Sequence, residues 1–430
     1  MKSRVKTELG YAVPEMFADE DMALSYLEDC GIAKPKKSIG KLYYFLNYLR
    51  VEGHLNKFRY NDKNDGWIET KIGIIQTLFG NKKYFYAITD KLLADGLIEV
   101  NNSYSVGNYC KSFRLTDTIN TDTWKVIKMQ ATKCTTTKKV LEFTRKDWEP
   151  IDHKMFNLLS QLWIDEIPFF DETNASNFKS YKCDLLTKLI AKEEKGKNIE
   201  DLYNFYKDSY ESIKYDAWRY KVDRNGRRHT NLTNLPKLLK PYLFIISKGV
   251  KKRLHTVDVC NSQVHLLLTI LPKNIEGYQK FKEWVENDFY QKFADAMNVK
   301  LTVENRTEIK QNYFTFIYGE NLRWYVWGSA AYKVMFKEFP TIVNFVNNLK
   351  NEHALKVGTN HGYKLPACLM QQEESNIIIN GVCKELSRQS IFFSQIYDSI
   401  MCLEEDIPQV MKIMLAAFKH KGLNVNLKTE

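Results

Sequence analysis

The stretch from residue 306 to 319, RTEIKQNYFTFIYG, constrains this chain more than any other. Arg306, Lys310, Phe314 and Tyr318 recur at every fourth position, which on a helix lines them along one slowly drifting face. Gly319 then stops the helix. Two cations followed by two aromatics is not the stripe of an ordinary core helix. It suits a helix whose first turns meet a phosphorylated ligand and whose later turns meet a flat base. An amphipathic helix with an exposed basic end would show the same stripe, so the flanking sequence has to decide.

A chain of 430 residues has room for roughly two to four domains. Apolar residues at 44% and charged residues at 27% allow a large core. The net charge is +11 and aromatics reach 13%, a balance that fits nucleic acid, where Lys and Arg meet phosphates and rings stack on bases. A genome rich in A and T would also enrich Lys, Asn, Ile and Tyr. The eight cysteines are scattered, with no CxxC pair and no accompanying histidine pattern. They read as reduced thiols of a cytoplasmic compartment. Neither a signal peptide nor an apolar run of about 18 residues is present, so the expectation is a soluble protein without a membrane partner.

Residues 1–35 form a mixed segment with a helical signal at 16–29. Helical patterns follow at 38–51, 71–79 and 82–94, with Asn81 placed to cap the third and Asp95-Gly96 to end it. Residues 97–100 read as a strand, Asn101-Asn102 as a turn and 109–115 as a return strand. Three helices and a hairpin over 36–117 resemble the winged helix-turn-helix modules of plasmid and phage replication proteins. That resemblance implies a third helix entering a major groove, with Lys82, Lys83 and Tyr84 at its start as DNA contacts. Such modules also serve as docking sites for replication partners. Residues 118–150 are Thr- and Lys-rich and read as a linker. Helices at 155–164, 177–192 and 199–220 make 151–221 a helical, thumb-like region.

The chemistry is carried by residues 222–430. The string GRRHTNLTNLP at 226–236 looks like a ligand-shaping loop. Residues 254–260 form an apolar strand with one carboxylate, Asp258, and Asn261-Ser262-Gln263 lead from it into an apolar helix. Far downstream, residues 392–403 read as a hairpin with Asp398 near its tip. An acid at a strand end beside a polar turn suits a hard divalent cation, and two such acids could share a pair of Mg²⁺ ions.

Together these segments resemble the family A nucleic-acid polymerases, the DNA polymerase I-like enzymes and their single-subunit phage-type RNA polymerase relatives. The resemblance covers about half the chain, residues 222–420. It implies that Arg227 lies at the primer terminus, that Asp258 and the Val259 carbonyl hold metal, and that Asp398 is the second catalytic carboxylate. Arg306 and Lys310 would meet the triphosphate, Phe314 the incoming base, and Tyr318 and Gly319 the template position. Gln371, in QQEESNII, would contact the substrate duplex. Departures are present. Gln263 stands where DNA polymerases of the family carry a sugar-excluding Glu, and Ser399 follows Asp398 where they carry another Glu. Phe314, by contrast, is the DNA-type residue.

The expected fold is α+β, an N-terminal winged helix followed by a right-hand core with an antiparallel palm sheet and helical fingers and thumb. The expected function is template-directed nucleotidyl transfer by a phage or mobile-element DNA polymerase using two Mg²⁺, with Mn²⁺ as a substitute, and without a proofreading exonuclease. Its partners would be template, primer and nucleoside triphosphates. An RNA polymerase or primase on the same scaffold, and a replication initiator that has lost activity, are the alternatives.

Overall fold

A computed structural model describes residues 8–60, 67–69, 79, 82–102, 111–120, 124–174, 176–193, 198–319, 329–357 and 362–430. The chain divides into two compact units. One comprises Met1–Lys221 and His229–Arg253, the other Val222–Arg228 and Leu254–Glu430.

In the first unit, helices begin where the sequence supplies caps. Asp19 Oδ1 accepts the Asp21 and Met22 amides at 2.9 and 3.1 Å and opens the helix Glu20–Asp29. Asn198 does the same at 2.8 and 3.1 Å for Ile199–Lys214. Each such cap stabilises by about 1 kcal/mol. The helix expected at 38–51 is longer, Pro35–Tyr60. It starts on a proline, which is tolerated in a first turn, and runs through Gly53, because one interior glycine weakens a helix without ending it. The helix Lys82–Ala94 and the antiparallel strands Ile98–Asn101 and Ser112–Leu115 lie where the hairpin pattern put them. Ile68–Glu69 pairs with the second of these strands. Phe45 meets Phe85 and Phe113 edge-on at 5.5 and 5.8 Å, so the long helix, the Lys82 helix and the hairpin share one aromatic core. The expected helix at 71–79, apart from Phe79, and the Asn81 cap fall outside the described residues.

Three expectations for this unit are corrected. The stretch 118–150 contains the strand Trp124–Gln130 and the helix Thr135–Arg145. The strand pairs along its length with Glu8–Pro14, in the segment read as mixed with a helical signal at 16–29. Residues 155–164 are not one helix. The helix is Pro150–Leu159, opened by a reciprocal Glu149–Asp152 capping box, and Leu162–Ile164 is a strand beside Leu243–Ser247. The helix from Ile199 ends at Lys214, where Asp216 turns the backbone left-handed at φ 58°. Asp171 accepts the Tyr210 hydroxyl at 3.1 Å and Lys214 Nζ at 2.6 Å, a structural pairing.

The second unit is built on an antiparallel sheet in the order Phe393–Ile396, Ser399–Leu403, the C-terminal part of Val250–Val259, and Leu427–Thr429. All nine residues of the first two strands are buried. The helix Arg306–Tyr318 buries Ile309, Tyr313, Phe316 and Ile317. Tyr313 packs its ring 4.7 Å from Phe289 and 5.9 Å from Phe293 of the helix Phe289–Ala296. The helix Leu365–Ser375 continues into a π-helix, Asn376–Cys383, whose wide turns bury Ile377, Ile378 and Ile379 in succession. No helix among the described residues is long and apolar enough to cross a membrane.

Candidate active site

The tight turn Tyr397-Asp398 joins the two fully buried strands, with Tyr397 left-handed at φ 54°. Gln395 Nε2 donates to the Tyr397 carbonyl at 2.7 Å, and the Ser399 hydroxyl donates to the Ile396 carbonyl at 2.8 Å. The turn therefore presents Asp398 from a braced hairpin, and the Ser399 side chain is used in that bracing. Asp258 stands in register with Ser399 on one side and Lys428 on the other. Lys428 Nζ lies 3.3 Å from Asp258 Oδ2. The Val259 side chain points into the core, 3% exposed, so only its backbone is available to a ligand.

Asp398 sits in the field of Asp258. Burial raises the carboxyl pKa of Asp398 and the Asp258 charge adds to the rise, while a hydrogen bond from Ser262 and the Arg227 charge oppose it. Ser262 opens the helix Ser262–Ile270 directly after the left-handed Asn261, so one short turn sets both Asp258 and the Asp398 hydrogen bond. Next along that helix, Gln263 Oε1 accepts the Tyr318 hydroxyl. Tyr318 is the last residue of the striped helix. Burial pushes its hydroxyl pKa up, and the charges of Arg227, Glu374 and Asp398 all act on it.

Arg227 arrives on the turn 223–227. Asp223 Oδ1 accepts the Asn225 and Arg227 amides at 2.9 and 3.0 Å, and Gly226 adopts φ +79° beside Ser375. Arg227 Nη2 donates to Glu374 at 2.8 Å, its guanidinium lies 5.0 Å from the Tyr397 ring, and its buried Nε has no acceptor among the described residues. Gln371 Oε1 accepts from Asn225 Nδ2 at 2.8 Å. Glu374 is 2% exposed, and its pKa is pushed up to about 7 by burial, reinforced by Asp398 and opposed by Arg227.

Along the striped helix, Arg306 pairs with Asp288 at 3.2 Å and lies 5.6 Å from the Tyr290 ring. Cys260, just past Asp258, feels Arg306, Asp288 and Lys428 together, and burial raises its thiol pKa. Lys310 is exposed, 5.4 Å from the Phe314 ring, and Phe314 meets Tyr318 edge-on at 5.5 Å. Gly319 ends the helix, as expected, in extended backbone, φ −75° and ψ 156°. Its glycine is required by close approach, since a Cβ there would sit 2.5 Å from the Thr315 carbonyl oxygen. Buried Lys350 caps the same end, donating to the Phe316 and Gly319 carbonyls at 2.7 and 2.9 Å.

Asp258, Asp398, Arg227, Gln263, Tyr318 and Gln371 are thus tied into one constellation of the second unit. Lys82 and Lys83 belong to the first unit, exposed in the opening turn of their helix, with Tyr84 half-buried under Lys41 at 4.0 Å. Sequence reasoning missed Glu374, Lys428 and Ser262. Ser262 could have been found from its place between Asp258 and a helix start. Glu374 lay inside the QQEESNII string, three residues after Gln371, and Lys428 carried no local signal.

No protein-family profile matches the chain, and no curated protein sequence matches it. Among solved structures, the chain is similar to the POL domain of Pol1 from M. smegmatis in complex with DNA primer-template and dNTP. The TM-score is 0.44 and the identity 10%, over 70% of this chain and 73% of that chain. A likeness of that size assigns no role to any residue.

Proposed function

We propose that this chain is a template-directed nucleotidyltransferase of the family A polymerase type, extending DNA, from a phage, plasmid or other mobile element. One observation carries the reading. Carboxylates from strands far apart in sequence, Asp258 and Asp398, lie within each other's field, and a single network of Arg227, Glu374, Gln263 and Tyr318 adjoins them.

The donor set fits Mg²⁺. Carboxylate and carbonyl oxygens are hard ligands; burial first, and then the Asp258 charge, raises the Asp398 pKa, and a divalent cation relieves both by stabilising the ionised form. Asp258, the Val259 carbonyl and Asp398 would hold the ions, with Mn²⁺ as a substitute. The chemistry they supply is activation of the attacking 3′-oxygen and neutralisation of the leaving pyrophosphate.

The protein's own groups do the rest. Arg306 and Lys310 meet the triphosphate on the first turns of their helix, where charge stabilisation contributes most to phosphoryl transfer. Phe314 takes the base of the incoming nucleotide, and Tyr318 with Gly319 borders the template position. Gln263, held by Tyr318, faces the sugar. Arg227 Nε, without an acceptor among the described residues, is a donor suited to the minor-groove edge of the primer terminus, and Gln371 contacts the duplex. Residues 36–117, read as a winged helix with Lys82, Lys83 and Tyr84 at its groove face, would recruit the enzyme to DNA or to a replication partner.

An RNA polymerase or primase is the second reading. It is favoured by Ser399, whose hydroxyl is engaged within the hairpin and supplies no second acid. Primer extension with Mg²⁺ and either dNTPs or rNTPs tests both. Incorporation of dNTPs alone supports DNA synthesis, and incorporation of rNTPs alone supports the second reading. Failure of both, with duplex binding intact after Asp258→Ala and Asp398→Ala, leaves a DNA-binding initiator.

A further inference from the structure

Glu374 lies in the QQEESNII string, three residues after Gln371, with no role of its own assigned there, yet it occupies the middle of the site's polar network. One of its oxygens takes Arg227 Nη2 at 2.8 Å, and the carboxylate also accepts a hydrogen bond from the Gln263 side chain. Gln263 in turn accepts the Tyr318 hydroxyl on Oε1. Four side chains from four segments therefore run in series: Arg227, Glu374, Gln263, Tyr318.

A glutamine amide has two chemically different ends, and nothing intrinsic decides which faces a ligand. Here Oε1 is taken by the Tyr318 hydroxyl, so Nε2 is the end that serves Glu374. Glu374 offers the amide an acceptor, which favours that orientation. Without it the amide is free to turn over and the Arg227 guanidinium loses its ion pair. The partners of Glu374 are an amide and a guanidinium.

We propose that Glu374 is a positioning residue for sugar selection: it fixes the Gln263 amide against Tyr318 and ties that pair to Arg227, so that the nucleotide sugar and the primer end are read by one rigid unit. The proposal rests on the nucleotidyl-transfer reading above.

Single-nucleotide incorporation on a primer-template with Mg²⁺ tests it, with kcat and KM measured separately for dNTP and rNTP. Glu374→Ala is expected to lower the dNTP-to-rNTP ratio of kcat/KM about tenfold, the scale of one lost charge-assisted hydrogen bond. Gln263→Ala should reach the same level, and the double variant should fall no further, because the two residues act in series. Glu374→Gln, which keeps an acceptor in reach of Gln263, should restore most of the ratio. Glu374→Asp keeps the charge but withdraws the carboxylate by one methylene, and it should behave like Glu374→Ala; it decides the matter if Glu374→Ala fails to fold. A purely structural Glu374 would lower kcat for both nucleotides alike. An unchanged ratio in Glu374→Asp, or additive losses in the double variant, overturns the proposal. Should the wild-type protein incorporate neither nucleotide, the nucleotidyl-transfer reading fails first and the role of Glu374 falls with it, an outcome visible before any variant is compared.

Discussion

Asp258 and Lys428 face each other across antiparallel strands, and Lys428 Nζ lies 3.3 Å from Asp258 Oδ2. The lysine occupies ground that a divalent cation would contest. Both side chains are partly exposed, so the pair is worth only about 0.2–1 kcal/mol. Lys428→Ala should therefore lower the Mg²⁺ concentration for half-maximal incorporation by about twofold to fivefold. An activity titration against Mg²⁺ reads this directly, and a shift to higher Mg²⁺ would count against metal binding at Asp258.

Asp258→Asn and Asp398→Asn should each reduce kcat by at least about 10²–10³. For Asp398 the structure adds a stability expectation. Burial and the Asp258 charge both disfavour its ionised form, so a neutral isostere removes a repulsion from the ion-free protein. Thermal unfolding followed by circular dichroism should give an Asp398→Asn midpoint equal to or above wild type. A fall of several degrees would mean that the carboxylate is structural.

Lys350 is 2% exposed, and burial lowers its pKa from 10.5 to about 8. Below about 8 it is protonated in folded and unfolded chains alike, and the full penalty of burying the charge applies. Between about 8 and 10.5 the unfolded chain holds a proton that the folded one has released, so stability from this group rises with pH across that window. Lys350→Met leaves the Phe316 and Gly319 carbonyls unpaired and should destabilise by about 1–3 kcal/mol. Denaturant unfolding from pH 7 to 10 compares the two proteins. The wild-type trend should be absent from the variant.

Gly319→Ala would place a methyl against the Thr315 carbonyl, which is backbone and cannot turn aside. The end of the Arg306 helix has to shift, at about 1–3 kcal/mol. Because Tyr318 is the adjacent residue, incorporation should weaken along with stability. Unchanged melting and unchanged kcat/KM would show that the close approach is relieved elsewhere.

Lys82→Glu and Lys83→Glu test the exposed start of the Lys82 helix. If both lysines meet phosphate, each change should flatten the slope of log K against log salt by about one unit. Fluorescence anisotropy with a labelled duplex measures it. Equal slopes in wild type and variants would remove the DNA-contact role and leave docking to a protein partner.

Local rules made the striped helix, the Asp398 hairpin and the Asp258 strand legible, because each is written in the spacing of a few consecutive residues. Gly319 was legible as a stop; its close approach to the Thr315 carbonyl, which leaves no room for a Cβ, shows only in three-dimensional geometry. The alternation of the strand Trp124–Gln130 is broken at Val126-Ile127, and its partner, Glu8–Pro14, lies far back in the chain. Nothing local announces such a pairing. Lys428 and Glu374 were hidden in the same way, since each acquires its meaning from residues far away in sequence, Asp258 for one and Arg227 and Gln263 for the other.

The chain passes between its two compact units at residues 221–222, 228–229 and 253–254. The strand Leu162–Ile164 therefore waits, as the polypeptide leaves the ribosome, for Leu243–Ser247 to emerge before it has a neighbour. A fragment ending at Lys221 would carry that strand with a raw, unpaired edge, the kind of surface that draws chains into aggregates. Any dissection of this protein has to respect the interruption: the first unit can be expressed apart only as 1–221 rejoined to 229–253, with a short bridge in place of the excised turn.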